Sequence, residues 1–322
     1  MLRRRFLNWL GAAVLSVAAT LIVTAQPSTA QPSYAGTPSE ETGFGSNPGA
    51  LQMFRYAPAG LPAGAPLVVA MHGCTQNASQ YGDESGWLQL ADRWRFALLL
   101  PQKPLGGCFT WYDPAKTGRG QGEALSVKQM VDRMLTEYRG DARRVYVTGL
   151  SAGGAMTAVM LATYPDVFAA GGVVAGLPFR CATTLVQAYT CMNPGVNRSP
   201  QAWGDLVRAA SPYRGEWPRV SLWHGTSDTT VVPANLTELM EQWTNVNGAD
   251  QSPDVSNTVG GYPHRVYTDG SGRAVVETYQ ITGMPHGQPV APAAEQCGRA
   301  GTYSLDKGVC AALHMGQFWG LH

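Results

Sequence analysis

Val145-Tyr146-Val147-Thr148-Gly149-Leu150-Ser151-Ala152-Gly153-Gly154 is the stretch on which the fold turns. Val145 to Val147 is a short β-branched and aromatic run, suited to a buried strand, and Ala152 to Tyr164 is a proline-free apolar segment suited to a helix. Between them, Gly149-Leu150-Ser151-Ala152-Gly153 puts a serine on the turn from strand to helix. A bare G-x-S-x-G is weak in a chain with 38 glycines. Here its context is that of a nucleophile elbow, where the serine sits on a strained turn that bulky neighbours would block. The competing reading is an ordinary N-cap serine on a glycine-rich turn.

The flanking sequence repeats this alternation. Leu67 to Met71 is a continuous apolar run closed by His72-Gly73, and Phe96 to Leu100 is another, closed by Pro101. Val173-Val174-Ala175 and Val220-Ser221-Leu222-Trp223 read as further strands, and Val275 to Ile281 as an alternating one. Val127, Met130, Val131, Met134, Leu135 and Tyr138 recur at helical spacing, as do Leu236, Leu239, Met240 and Trp243. Apolar strands alternating with helices predict an α/β fold with a mostly parallel central sheet covered by helices on both faces. Residues 31–50 are rich in Pro, Gly, Ser and Thr and lack an apolar period, so they read as a flexible linker. No internal repeat is visible, which predicts a single domain over 51–322.

The 322 residues are 44% hydrophobic and 14% charged, enough apolar material for a sizeable core. Net charge is +1; without Arg3, Arg4 and Arg5 the count is 20 basic against 22 acidic side chains, near −2. There is no basic run elsewhere, so nucleic acid is excluded as a partner. The N-terminus reads as a signal peptide over 1–30. Arg3 to Arg5 form its positive region and Leu7 to Ala25 its apolar stretch, and cleavage patterns end at Ala25 and Ala30. A membrane anchor is the alternative, but no positive stop-transfer flank follows. Arg3-Arg4-Arg5-Phe6-Leu7 also resembles a twin-arginine signal. The expectation is a secreted chain with no stable membrane partner, acting as a monomer.

Six cysteines lie beyond the leader: Cys74, Cys108, Cys181, Cys191, Cys297 and Cys310. Fifteen pairings are possible, and export favours three disulfides. The short gaps 181–191 and 297–310 suggest local staples, which would leave Cys74 with Cys108. No CxxC, no HExxH and no His/Cys/Asp cluster at ligand spacing occurs, so no metal is expected.

A nucleophilic serine needs a base, and the base an orienting acid, here in the order Ser, Asp, His. Asp228, in His224-Gly225-Thr226-Ser227-Asp228, follows a strand end and is the candidate acid; a turn-forming aspartate is the alternative. His286, in Gly283-Met284-Pro285-His286-Gly287, follows the Val275–Ile281 strand and is the candidate base. His72 and His224 read as structural, His264 sits in or beside a hairpin, His314 lies on the last helix and His322 is terminal. The backbone N–H groups of Ala152 and Cys74 are the candidate oxyanion donors.

With these residues assembled, the chain resembles the extracellular poly(3-hydroxybutyrate) depolymerase-like esterase family. Met71-His72-Gly73-Cys74-Thr75-Gln76, Gly149 to Gly154, Trp223 to Asp228 and His286-Gly287 carry the likeness. So do Ala162 to Gly171, Ala175-Gly176-Leu177-Pro178, and the tail from Cys297-Gly298 through Cys310 to Leu321. The resemblance implies an α/β-hydrolase fold, ester hydrolysis through an acyl-serine, no cofactor, and the Cys74–Cys108 pairing. Its members include polyester depolymerases and feruloyl or acetylxylan esterases. The expected substrate is therefore a short-chain poly(3-hydroxyalkanoate), its oligomers or a small ester; cell-wall feruloyl or acetyl esters are the alternative, and an inactive binding module a third reading. Many members that act on solid polymer carry a further binding domain. The sequence ends at His322, so adsorption would use the catalytic domain's own surface. Trp111 and Tyr112, in Cys108-Phe109-Thr110-Trp111-Tyr112, resemble a family segment beside the active site and are candidate substrate-binding residues; core or rim packing is the alternative.

Overall fold

The computed structural model describes residues 36–322. The signal-peptide reading lies outside the described residues, as does the linker reading for 31–35. Apart from a small two-stranded sheet, Gln288–Val290 with Ser304–Asp306, the strands in chain order are β1 (Ser39–Glu41), β2 (Gln52–Tyr56), β3 (Leu67–Met71), β4 (Ala97–Gln102), β5 (Val145–Leu150), β6 (Ala170–Val174), β7 (Arg219–Gly225), β8 (Val255–Val259), β9 (Tyr262–Thr268) and β10 (Ala274–Ile281). They form one sheet in the order β1-β2-β4-β3-β5-β6-β7-β10-β9-β8. The six central strands, β4 to β10 in that order, are parallel. Two antiparallel strands close each edge.

The helices are α1 (Ala78–Glu84), α2 (Trp87–Trp94), α3 (Pro114–Thr117), α4 (Gly122–Tyr138), α5 (Ala152–Thr163), α6 (Leu185–Met192), α7 (Pro200–Arg208), α8 (Ala234–Asn247) and α9 (Ala311–Trp319). Strand alternation sorts side chains into two apolar layers. Leu67, Val69 and Met71 of β3 join Val127 and Met130 of α4, Met156 and Val159 of α5, and Leu239 and Trp243 of α8. Val68 and Ala70 join Trp87 and Leu90 of α2 and Ala311 and Met315 of α9 on the other face. Both faces are therefore covered, as parallel strands require.

The flexible linker predicted over 31–50 is corrected from Ser39 onward. Ser39–Glu41 pairs with β2, and Arg55 bridges Glu41 at 2.9 Å. Asn47 N–H donates to Gln129 Oε1 and Gly49 N–H to Ser126 Oγ, both on α4, at 2.9 and 2.8 Å. Polar composition hid an edge strand, because an edge has only one neighbour and needs no apolar face on its outer side.

The cysteines pair as Cys74–Cys108, Cys181–Cys191 and Cys297–Cys310. Among the described residues, no helix is long and apolar enough to cross a membrane.

Candidate active site

Ser151, Asp228 and His286 each lie in the segment that follows a central strand, β5, β7 and β10. At the end of β5 the chain turns sharply into α5, and Ser151 has φ 58° and ψ −118°. A non-glycine residue in this region costs roughly 1–3 kcal/mol and persists only where its surroundings impose it. They do so here. Ser151 N–H donates to Val174 O at 2.9 Å, and its carbonyl accepts from Ala155 N–H at 2.8 Å. Gly149 and Gly153 pack backbone to backbone across the turn, leaving no room for a Cβ on either. Ser151 makes no capping hydrogen bond with its side chain, which removes the N-cap alternative.

Its hydroxyl is engaged elsewhere, 2.9 Å from His286 Nε2. On the other side of that ring, Nδ1 lies 2.7 Å from Asp228 Oδ2. Parallel pairing of β7 with β10 brings their following loops side by side. Three bonds lock the loops together: Thr226 N–H to Ile281 O, Ser227 N–H to Met284 O, and Gly283 N–H to Thr226 Oγ1. Chain segments 58 residues apart thus deliver an aspartate and a histidine to one serine.

Asp228 is buried, and its Oδ1 accepts from the N–H groups of Thr230 and Val231, each at 2.9 Å. Burial is the largest influence on this carboxyl and acts to raise its pKa. The hydrogen bond and charge of His286, the Val231 N–H and His224 together outweigh it and hold the group below the ordinary aspartate value. His224 lies 3.5 Å from Asp228 Oδ2, with Nε2 at 2.8 Å from Val231 O. Burial is the largest influence on its own pKa and lowers it, and its bond to Val231 O braces the acid's loop. The sequence reading classed His224 as structural but did not foresee that it sits against Asp228.

The loop after β3 packs against the elbow: a Cβ on Gly73 would lie 3.5 Å from Ser151 Cβ. Gln76 shapes this loop, accepting from Gly73 N–H through Oε1 at 2.9 Å. The N–H groups of Thr75 and Gln76 bond to Gly106 O and Gly73 O, whereas that of Cys74 has no partner among the described residues. Ala152 N–H, at the first position of α5, likewise has no partner among the described residues, as expected at a helix start.

Cys108 ties a second segment to this loop. Within it, Thr110 N–H and Oγ1 bond the fully buried Glu123 at 2.8 and 2.7 Å, and Lys103 Nζ reaches the same carboxylate at 2.5 Å. Neither Glu123 nor Lys103 stood out in the sequence. Trp111 is buried in the larger apolar layer, edge-on to a half-buried Tyr112. Replacing Cys74 and Cys108 together by serine is expected to lower the unfolding free energy by about 2–4 kcal/mol, read from urea titration with a steeper slope, since the opened chain is less compact when unfolded. Equal midpoints for variant and parent would mean that the Glu123 contacts alone hold the segment.

The other histidines lie elsewhere. His264, on β9, bonds Glu277 and Asn257, and His314, on α9, bonds Glu295. His72 Nε2 accepts from Lys103 N–H, which supports the loop after β4.

A serine on a strand–helix elbow, joined through histidine to a buried aspartate at the same end of a parallel sheet, defines an α/β-hydrolase of the serine type. The chain belongs to the Esterase PHB depolymerase family, whose pattern matches residues 51–258. It is 55% identical over 290 residues to poly(3-hydroxyalkanoate) depolymerase C of Paucimonas lemoignei, covering 88% of this chain and 70% of that one. It is 37% identical over 266 residues to an acetylxylan esterase of Coprinopsis cinerea, covering 79% and 70% of the two chains. Feruloyl esterase B of Talaromyces stipitatus is 35% identical over 266 residues, with 80% and 74% covered. The solved acetyl xylan esterase of Aspergillus awamori superposes with a TM-score of 0.76 at 28% identity, covering 89% of this chain and all of that one. The protein is an esterase.

Proposed function

We propose that this chain is a secreted serine esterase that hydrolyses short-chain poly(3-hydroxyalkanoate) or its oligomers. The observation that carries the chemistry is the unbroken chain from Ser151 Oγ through His286 to Asp228. Ser151 attacks the ester carbonyl while His286 Nε2 takes its proton, and Asp228 stabilises the imidazolium through Nδ1–H. The free N–H groups of Ala152 and Cys74 stabilise the oxyanion, a donor of this kind being worth roughly 3–4 kcal/mol in the transition state. His286 then protonates the departing alcohol. Water, deprotonated by the same ring, cleaves the acyl-serine. The polyester assignment is supported by the 55% identity to the Paucimonas lemoignei depolymerase.

Cell-wall feruloyl or acetyl esters are the second reading, favoured by the fungal esterases at 35–37% identity. Turnover of amorphous poly(3-hydroxybutyrate), methyl ferulate and acetylated xylan by one preparation separates the two. Preference for ferulate or xylan acetate would overturn the polyester assignment. Secretion after cleavage of the leader is supported by the three disulfides, which persist in oxidising compartments. An N-terminal sequence of the protein from culture fluid tests it.

The pH dependence follows from the site. Protonated His286 has no lone pair for the Ser151 proton, so kcat/KM on a soluble ester is expected to fall as pH is lowered. Asp228, held below the ordinary aspartate value, stays ionised through that fall. The acid limb should therefore have the slope of a single proton. A flat profile, or a slope of two, contradicts this division of roles.

A further inference from the structure

Five large hydrophobic residues stand exposed among the described residues, and four of them sit on segments bonded to the active-site loops. They are Leu105 (104% exposed), Val186 (77%), Tyr189 (64%) and Leu185 (51%); the fifth, Val255, is on the outer edge strand β8. Water-facing apolar side chains are ordinary when scattered, whereas grouping around a reactive centre points to a contact surface.

Helix α6 carries three of the four. Its buried residues are Ala188 and Cys191, so its small side chains face the protein while Leu185, Val186 and Tyr189 face outward. The Cys181–Cys191 bond fastens this helix, a task usually left to a buried apolar stripe. Its far end is tied to the segment following Asp228: Val232 N–H donates to Met192 O, and Asn193 Nδ2 to Thr229 O. Leu105 lies on a segment tied instead to the loop after β3. Its neighbour Gly106 accepts from Thr75 N–H, and Cys108 is bonded to Cys74. In the sheet order β3-β5-β6-β7, the two attachments fall on either side of β5, whose end carries Ser151.

Charge separates this surface from an ordinary solvated rim. Residues 104–112 and 181–197 contain no Asp, Glu, Lys or Arg, although 14% of the chain is charged. An aliphatic polyester solid is itself uncharged, so a charged side chain pressed against it would lose hydration with no counter-charge to replace it. Apolar side chains gain from the same contact, and the Tyr189 hydroxyl can donate to an ester carbonyl.

We propose that Leu105 on one side and Leu185, Val186 and Tyr189 on the other form a docking surface for the solid polyester, bracketing the reactive serine. The inference rests on the polyester reading above. It makes adsorption a property of the catalytic domain itself, separable from the chemistry at Ser151.

Adsorption isotherms on amorphous poly(3-hydroxybutyrate) particles test it, with Ser151→Ala in every protein so that the solid is not consumed. Adding Leu105→Ser, Val186→Ser and Tyr189→Ser should weaken adsorption by about tenfold or more. The same three changes in the active enzyme should leave kcat/KM on a soluble butyrate ester within about twofold. Polymer hydrolysis should fall with adsorption. Unchanged adsorption by the triple variant overturns the surface, as does an effect confined to binding of insoluble xylan. So does a dimer in sedimentation that the three changes dissolve while adsorption persists. If the parent cleaves hydroxybutyrate oligomers but does not adsorb, the docking surface fails and the polyester reading stands. If it cleaves neither polymer nor oligomers while turning over ferulate or acetate esters, the function reading fails, and the docking surface with it.

Discussion

Ser151→Ala is expected to lower kcat on a soluble ester by about five to six orders of magnitude with no loss of thermal stability. Among the described residues the hydroxyl bonds only His286, so removing it strands no polar group except Nε2 of a ring that is partly exposed. His286→Ala should cost about as much, since a serine without a base is a poor nucleophile. The double variant should be little worse than either single one, because the pair acts as a unit. Asp228→Asn should cost about 10⁴-fold, the serine–histidine pair surviving with its tautomer misdirected. His264→Ala and His314→Ala should stay within a few-fold of the parent, their partners Glu277 and Glu295 being remote from Ser151 in the bonding network. Steady-state rates, together with fluorophosphonate labelling that disappears in Ser151→Ala, check the set. Loss of turnover in folded His264→Ala with His286→Ala still active would break the assignment of the base.

Which of these residues could be read from the chain depended on how local their environment is. Ser151 was legible because the apolar run before it, the glycines around it and the helix after it are contiguous. His286 and Asp228 were legible because each follows a strand that periodicity reveals, and the order Ser, Asp, His did the rest. The bonds Cys181–Cys191 and Cys297–Cys310 close loops of only 10 and 13 residues, so spacing suggested them. Glu123 was not legible. Its burial depends on Lys103 and Thr110, and nothing in the pattern of α4 marks that position as holding a charge. His224 was read as structural, and its contact with Asp228, which arises from a loop folding back on its own strand, was not legible. Ser39–Glu41 was misread, because an outer edge strand can be wholly polar. The apolar face of α6 was missed because it inverts the usual rule, and only exposure in the folded chain reveals the inversion.

Gly153→Ala is expected to destabilise the fold by about 3 kcal/mol or more, even though alanine favours helix over glycine by roughly 1 kcal/mol. A Cβ at this position would lie 2.6 Å from His72 O and closer still to Met71 O. These atoms cannot swing aside as a side-chain tip would, for they belong to the end of β3 and to the loop that packs against Ser151. Met71 pairs with Gly149 of β5, so moving its carbonyl disturbs the ladder that positions the elbow. The alternative is for α5 to lift away from the sheet. That opens the apolar layer around Ala155, Met156 and Val159 and pulls Ala152 N–H away from the Cys74 loop. Either response should lower activity as well as stability, because the two N–H groups proposed as oxyanion donors, those of Ala152 and Cys74, stand on opposite sides of that contact. Gly270 provides the control: a Cβ there meets nothing within 4 Å and its φ is ordinary, so Gly270→Ala should stay within about 0.5 kcal/mol of the parent. Urea unfolding of both variants, with ester turnover measured on the same samples, reads out the difference. Equal midpoints for Gly153→Ala and Gly270→Ala would mean that the close approach of α5 to β3 does not fix the elbow's geometry, and that the strain at Ser151 must be held by its bonds to Val174 and Ala155 instead.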